Sequence, residues 1–319
     1  MRASFVSVFA LAASPAASDV SLGFPVDCTL GSDCYIQNYV DIDPTQGISD
    51  FACKNLSYDG HKGTDFALFS HKDLDRAVNV LAALPGVVVG LRNDMPDHNF
   101  FDIDQSGIAG RECGNGVVLD HGDGWETQYC HLKQNSVSVS LGALVDAGQK
   151  LGEIGASGNT VFPHLHLSLR KDGNVVDPFD PTESQSCGAQ SQDLWTDPIA
   201  YVGGGLIATA IDDKVPAYAD LKADQNRSTE WPTNSPALVV WSFGFGLNPN
   251  DQIRFSLQYP DGETFTDIVT ADRNRAQFFY AWGKRRPAGG WSAGPYIATS
   301  TMQRGSEILG YQVFEFQVN

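Results

Sequence analysis

Pro163-His-Leu-His-Leu-Ser-Leu169 is a stretch in which polar and apolar side chains alternate. Successive side chains of a β-strand point to opposite faces, so His164, His166 and Ser168 share one face and the leucines share the other. The leucine face predicts a strand that covers an apolar core. The histidine face presents two imidazole rings that can reach one small site, although surface histidines on a half-buried strand would show the same pattern.

Two earlier segments supply residues of the same chemical type. In His61-Lys-Gly-Thr-Asp65, a helix would put His61 and Asp65 on one face, but Gly63 and the following Phe-Ala-Leu argue against a helix. We predict a turn that carries His61 and a strand that starts at Asp65. In Tyr129-Cys-His131-Leu132, His131 comes directly after a predicted strand over 128–130. Histidine and carboxylate are the usual ligands of a catalytic zinc ion, but each segment alone is a weak signal.

Length, composition and charge restrict the class of protein. A chain of 319 residues predicts one large or two ordinary domains, and 42% apolar residues with 32 glycines fit a globular, β-rich protein. The formal net charge of -17 disfavours nucleic acid as a partner, because such binding neutralises phosphates with Lys and Arg. It also disfavours docking on an anionic membrane.

The N-terminus has the features of an export signal over residues 1–18. Arg2 supplies a positive charge, Ala3 to Ala13 is mostly apolar, and Ala16-Ala-Ser18 is a small-residue cleavage region. No later stretch of about 20 apolar residues predicts a membrane span. The sequence therefore predicts a periplasmic or secreted protein.

Six cysteines are consistent with disulfides in such an oxidising compartment. Cys28 and Cys34 flank a Gly-Ser-Asp turn, and Cys113 and Cys130 bracket a hairpin whose predicted turn is His121-Gly-Asp-Gly124. Cys53 and Cys187 remain as a third pair. Six cysteines allow 15 connectivities, so this pairing is a hypothesis; a cysteine zinc site is disfavoured because the sequence has no CxxC.

The rest of the chain divides into further predicted regions. Residues 19–57 are a disulfide-containing segment, 58–180 hold short strands, 181–204 form a connector rich in Ser, Gln, Asp and Gly, and 205–319 form a second β domain. One helix is predicted at Asp73 to Leu84, because it follows a charged turn and ends before Pro85. In the second domain, alternating strands separated by turns suggest an immunoglobulin-like sandwich. The fold class is thus all-β.

The order of the motifs resembles the lysostaphin-type, or LytM-like, zinc metallopeptidases. The resemblance covers roughly residues 58–180. It rests on Gly60-His-Lys-Gly-Thr-Asp-Phe-Ala, Tyr129-Cys-His-Leu, Leu151-Gly-Glu-Ile-Gly-Ala-Ser-Gly158 and Pro163-His-Leu-His-Leu. It implies an antiparallel β domain with a groove over one Zn²⁺. The segment from Leu91 to Cys113 is longer than the family's short turn, and we expect it to border that groove.

The resemblance also implies roles for five residues. His61, Asp65 and His166 match the zinc ligands, and His131 and His164 match the two catalytic histidines; which of these two is the general base stays open. The implied reaction is hydrolysis of peptide cross-links in bacterial peptidoglycan. Two alternatives remain: a silent or occluded activator of other wall hydrolases, and a secreted protease acting on proteins. The C-terminal domain could bind the wall or a wall-associated protein, or cover the groove.

Overall fold

The computed structural model describes residues 20–98, 107–182 and 193–319. The predicted export signal over 1–18 and Cys187 lie outside these ranges, so both stay predictions. The described chain is nearly all β, as the sequence predicted. Across the described residues, no helix is both long and apolar enough to cross a membrane.

The N-terminal part contains one large antiparallel sheet, which we call the N-terminal sheet. Its order within the described residues is β1-β2-β9-β6-β5-β4-β7, and β10 pairs with the outer end of β9. A separate antiparallel pair joins β3 and β8. The strands are β1 (Cys34–Asn38), β2 (Thr64–Leu68), β3 (Asn79–Leu81), β4 (Gly86–Arg92), β5 (Asn115–Gly122), β6 (Trp125–Leu132), β7 (Leu144–Val145), β8 (Lys150–Glu153), β9 (His164–Lys171) and β10 (Asn174–Val176).

Strand β9 lies inside this sheet, between β2 and β6, and has the predicted alternation. Leu165, Leu167 and Leu169 are at most 1% exposed and pack in the core with residues of β5 and β6 such as Leu119 and Tyr129. Burying a leucine side chain contributes about 1.5–3 kcal/mol, so the core fixes the register of this strand. The register in turn fixes which side chains appear on the opposite face.

The predicted helix at Asp73 to Leu84 is wrong. The structure has a short 3-10 helix over His71–Arg76, and strand β3 follows within the same stretch. Ala77 has a left-handed backbone (φ 51°) that ends the helical turn. Val78 and Val80 are β-branched and buried, and their packing in the core favours the strand.

Two of the three predicted disulfides are present. The hairpin of β5 and β6 forms around the predicted turn, with Gly122 opposite Trp125. Its cysteines Cys113 and Cys130 are bonded, with Cα atoms 4.8 Å apart, and Cys28 is bonded to Cys34. The Cys53–Cys187 pair stays a prediction, because one of its residues is not described.

The C-terminal part contains two sheets. The first has the order β11-β13-β16, and the second has the order β12-β18-β17-β14-β15 within the described chain. All pairs are antiparallel except β12 with β18. Whether this arrangement is immunoglobulin-like stays a prediction. The elements are β11 (Gly205–Asp212), α1 (Tyr218–Ala223), β12 (Glu230–Trp231), β13 (Ala237–Leu247), β14 (Gln252–Gln258), β15 (Thr264–Thr270), β16 (Arg275–Arg285), β17 (Gly294–Arg304) and β18 (Glu307–Val318).

Apolar side chains join the two parts. Phe162, which lies just before β9, belongs to one buried cluster with Trp241 and Phe243 of β13. Tyr35 of β1 packs in the same cluster, and its hydroxyl accepts a hydrogen bond of 2.7 Å from Gln277 Nε2. The C-terminal part is therefore packed against the segment that leads into the two histidines of β9.

Candidate metal centre

Three of the predicted site residues bring one atom each to a common point. Asp65 Oδ1 lies 2.8 Å from His166 Nδ1 and 3.1 Å from His61 Nε2, and these two nitrogens are 3.1 Å apart. Asp65 and His166 are directly opposite each other on β2 and β9. His61 lies on the turn before β2, and Asp65 lies near the start of that strand, as the sequence predicted.

The other polar atom of each of these residues has a fixed hydrogen-bond partner. His61 Nδ1 donates to the Tyr39 carbonyl oxygen at 2.6 Å, and Asn38 Nδ2 donates to Asp65 Oδ2 at 3.0 Å. His166 Nε2 lies 3.0 Å from Ser168 Oγ, which itself donates to the Lys62 carbonyl oxygen. Ser168 must therefore accept the proton of His166 Nε2.

These hydrogen bonds determine which atoms face the common point. In a neutral imidazole one nitrogen carries the proton and the other has a lone pair. The lone pairs of His61 Nε2 and His166 Nδ1 therefore point to the same place as Asp65 Oδ1. Three acceptors directed at one another fit a cation, and ligand atoms about 2.0 Å from a tetrahedral zinc ion would lie about 3.3 Å apart. The observed separations are close to that value.

Burial and mutual charge shift the pKa values of this group. Burial opposes ionisation of Asp65, but the adjacent imidazoles of His61 and His164 hold its pKa well below the usual range. Burial lowers the pKa of His166, only partly offset by Asp65. Burial also works against the charged form of His61, although the carboxylate of Asp65 leaves its pKa raised. Asp65 is therefore a carboxylate at neutral pH, as a metal ligand must be.

Two further predicted histidines lie beside this group. The ring centroids of His131 and His164 are 4.6 Å apart, and His164 Nε2 lies 3.5 Å from Asp65 Oδ1. His131 Nδ1 donates to the Ser157 carbonyl oxygen at 2.8 Å, and His164 Nδ1 donates to the Phe162 carbonyl oxygen at 2.9 Å. A neutral ring bonded in this way has its lone pair on Nε2.

The environment keeps His131 neutral. Burial lowers its pKa well below the ordinary value, and the neighbouring imidazoles of His164 and His166 lower it further. The structure places His131 inside β6 with a left-handed backbone (φ 64°), whereas the sequence placed it after a strand. A β-bulge between Asn115 and Gly116 accompanies this conformation, and a bulge re-aims a side chain.

Sequence reasoning missed several residues that hold the site. Ser168 had a signal, because it shares the face of His164 and His166, but it was not assigned a role. Asn38 and Tyr39 gave none, because only the pairing of β1 with β2 brings them to the site. Ser157 lies in the Gly155-Ala-Ser-Gly158 motif, and it acts through a carbonyl oxygen that no side-chain pattern can reveal.

The surroundings of the site include the C-terminal part. A cavity of about 440 Å³ is lined by His98 and Ala156 of the N-terminal part and by Tyr218 and Ala219 of α1. Ala156 directly precedes Ser157, so this cavity adjoins the loop that holds His131. On another side, the exposed ring of Tyr58 lies 4.3 Å from the His61 ring.

Comparison with known proteins gives a consistent result for this region. The model of peptidase family M23 matches residues 59–178. The chain is 34% identical over 116 residues to the peptidoglycan DD-endopeptidase ShyA of Vibrio cholerae, covering 36% of this chain and 21% of that protein. It is 39% identical over 70 residues to the cell division protein DipM of Caulobacter vibrioides, covering 22% and 11%.

Solved structures are also similar to part of this chain. A crystal structure of a putative M23 peptidase from Pseudomonas aeruginosa is 27% identical, with a TM-score of 0.28, and the match covers 37% of this chain and 42% of that chain. The matches span about a fifth or less of the two curated relatives named above. Residues 59–178 of this chain belong to peptidase family M23.

Proposed function

We propose that this chain is a zinc-dependent endopeptidase that hydrolyses peptide cross-links of bacterial peptidoglycan. The observation that carries the proposal is the convergence of His61, Asp65 and His166 on one point, with the imidazole rings of His131 and His164 beside it. Family membership supports peptidase chemistry. A relative named as a peptidoglycan DD-endopeptidase supports the substrate class.

The proposed roles follow from the hydrogen bonds. His61, Asp65 and His166 would hold one Zn²⁺, which supplies a Lewis acid and lowers the pKa of a bound water from about 15.7 to about 7. His131 is buried and neutral, so its Nε2 is suited to accept the proton of the attacking water. His164 lies beside the carboxylate of Asp65, and its Nδ1 proton is donated to the Phe162 carbonyl oxygen. In its imidazolium form it would donate from Nε2 to the oxyanion that develops on the peptide carbonyl.

The predicted setting of the enzyme is part of the proposal. The predicted export signal over 1–18 and the two disulfides support a periplasmic or secreted location. We retain the predicted regions 19–57, 58–180, 181–204 and 205–319. We also retain the prediction that the C-terminal part binds the wall or a wall-associated protein, which its position beside the site supports.

A hydrolysis assay on purified peptidoglycan distinguishes the proposed function from its alternatives. We expect the zinc-loaded protein to release soluble fragments and expose new amino groups, and a chelator to abolish both. His166→Ala is the matched inactive control. If the protein releases nothing but increases the activity of a separate wall amidase, it is an activator. If it cleaves casein or elastin and leaves peptidoglycan intact, it is a protease of proteins.

A further inference from the structure

The Cys113–Cys130 disulfide lies on the same face of the N-terminal sheet as the proposed zinc ligands. Cys130 is directly opposite His166 in the pairing of β6 with β9. It is only 4% exposed, and it immediately precedes His131 in the chain. The bond is therefore next to both a proposed ligand and a proposed catalytic residue.

Cys113 also contacts His131 through its backbone. The His131 amide donates to the Cys113 carbonyl oxygen at 2.8 Å. Cys113 is thus joined to two consecutive residues of β6, covalently to Cys130 and by a hydrogen bond to His131. This double attachment fixes the chain direction at the point where β6 departs from regular strand geometry.

That departure needs support from its surroundings. His131 has a left-handed backbone (φ 64°), a conformation that costs free energy in residues other than glycine and persists where neighbouring groups enforce it. The carbonyl oxygen of His131 accepts a hydrogen bond of 3.0 Å from the Gly155 amide, and its Nδ1 donates to Ser157. The amide, the carbonyl and the ring of His131 are all held at once.

The four residues directly before Cys113 do not pack in a core. Residues 109–112 are exposed, and two of their hydrogen bonds are local turns, from Arg111 to Ile108 at 2.7 Å and from Gly114 to Arg111 at 2.8 Å. A covalent link to β6 restrains Cys113 itself, which these local turns do not do. Without the link, the Cys113 carbonyl oxygen that holds the His131 amide would be positioned through its chain neighbours: the Glu112 carbonyl oxygen accepts from the Asn159 amide at 2.8 Å, and the Asn115 amide donates to Ser157 Oγ at 2.9 Å.

We propose that the Cys113–Cys130 disulfide is a positioning element that keeps the His131 ring oriented for proton transfer. The inference rests on the proposed function in so far as it concerns catalysis. The disulfide itself takes no part in the reaction. Its effect is to keep the His131 backbone in the left-handed conformation, which directs Nδ1 to the Ser157 carbonyl oxygen and leaves Nε2 towards the zinc site.

The chain offers a matched control. Cys28–Cys34 closes a short loop ahead of β1, and neither of its residues hydrogen-bonds any of the five proposed site residues among the described contacts. Removing it tests the general effect of losing a disulfide. Comparing C113S/C130S with C28S/C34S therefore isolates the effect on His131.

The first measurement is the kinetics of peptide release by the full chain. We expect C113S/C130S to keep one zinc ion per chain and a KM within about twofold, and to lose about 10- to 100-fold in kcat, the order expected for a misplaced catalytic group. C28S/C34S should keep the wild-type kcat. C113A/C130V, which fills the space with apolar atoms but restores no bond, should resemble C113S/C130S; wild-type kcat in this variant would overturn the inference.

The second measurement does not depend on activity. Long-range proton–nitrogen NMR of the imidazole rings should show His131 as the Nδ1–H tautomer in the zinc-loaded wild type and in C28S/C34S. In the two Cys113/Cys130 variants we expect an averaged pattern for His131, with unchanged signals for His61 and His166. An unchanged His131 signal would overturn the inference even if activity falls.

The two proposals can therefore fail separately. If the zinc-loaded wild type releases no peptide fragments, the proposed function fails, while the NMR comparison still decides whether the disulfide positions His131. If the wild type is active and C113S/C130S has the kcat and the NMR pattern of C28S/C34S, the proposed function stands and the inference is wrong. Should C113S/C130S not fold, the same comparisons are made with C113A/C130V.

Discussion

Strands β9 and β14 have the same alternation but opposite surroundings. In β14, Ile253, Phe255 and Leu257 are fully buried, just as the leucines of β9 are. The polar face of β14, however, carries exposed Arg254 and Gln258. The polar face of β9 carries two histidines whose side chains are 16% exposed or less, and a buried serine.

The difference is in what covers the polar face. The turn before β2 crosses over β9, and a Cβ on Gly63 would lie 2.6 Å from His166 Nε2. Phe162 and the loop of Ser157 approach from the other side, each supplying a carbonyl oxygen to a histidine. Alternation thus predicts a strand in both cases, but loops from elsewhere in the chain turn one polar face into a site. The following predictions test this comparison.

Replacing a proposed ligand on β9 should have the largest effect. His166→Ala removes one of the three atoms proposed to bind the cation, so we expect zinc affinity and activity to fall by more than the about 10- to 100-fold that losing a residue that only orients a ligand costs. Metal analysis and peptide release measure the two effects. Arg254→Ala on the polar face of β14 is the control and should keep both. Zinc binding at wild-type affinity by His166→Ala would contradict the assignment.

Replacing His131 should spare the metal and slow the reaction. We expect His131→Ala to retain zinc and lose about 10²–10⁴ in kcat, the contribution of a general base. Because burial holds the pKa of His131 below its ordinary value of about 6.5, the ring stays neutral to lower pH, and activity should fall only as pH drops through that lowered pKa.

A pH profile of kcat/KM checks this assignment. The acid limb that belongs to His131 should lie below about pH 6.5 in the wild type and be absent from the residual activity of His131→Ala. His121→Ala, which removes a histidine on the β5–β6 hairpin that bonds Thr127 and the Pro85 carbonyl oxygen, is the control and should keep the wild-type profile. An unchanged acid limb in His131→Ala would assign the limb to another group.

The packing between the two parts should matter for stability. Phe243 is fully buried, and its ring lies 6.5 Å from that of Phe162, which leads into β9. We expect Phe243→Ala to lower the free energy of unfolding by about 3–5 kcal/mol, measured by denaturant titration. Val313→Ala, at a side chain that is 44% exposed, should change it by less than about 0.5 kcal/mol. Equal effects of the two changes would rule out a packed junction.

We expect the smallest effect from replacing the serine on the polar face of β9, compared with replacing the serine at the matching position of β14. Ser168→Ala removes the acceptor that fixes the tautomer of His166, so zinc affinity should fall about 10- to 100-fold. Ser256 has the equivalent place in the alternation of β14, and Ser256→Ala should leave zinc affinity unchanged. Competition with a chelator of known affinity measures both. Equal affinities in both variants would mean that Ser168 does not orient His166.

Local pattern was enough to predict strand β9, whereas the grouping of the site residues came from the family resemblance. The alternation in β9 is enforced by a leucine core, so that prediction was confirmed. The ligand atoms of His61, Asp65 and His166 lie together in the structure, and zinc binding by them stays a prediction. The helix predicted at Asp73 to Leu84 was wrong because core packing also decides the structure there. Its charged start is local, but Val78 and Val80 are held by long-range packing that a local pattern does not contain.

The remaining features depend on contacts between distant segments. Asn38 and Ser157 reach the site through pairing and loop closure over 27 and 26 residues, measured to Asp65 and His131. The junction of Phe162 with Phe243 likewise follows from the three-dimensional arrangement of two apolar surfaces. Hydrophobic residues in a sequence indicate burial, but they do not identify the residues they will contact.

The register of β1 determines how small a working fragment of this protein can be. The family match begins at residue 59, but the side-chain amide of Asn38 and the carbonyl of Tyr39 lie upstream of it. A fragment cut at the match would keep every proposed ligand and lose the groups that orient two of them. The smallest catalytically competent fragment of this protein should therefore begin before Cys34, where the edge strand β1 starts.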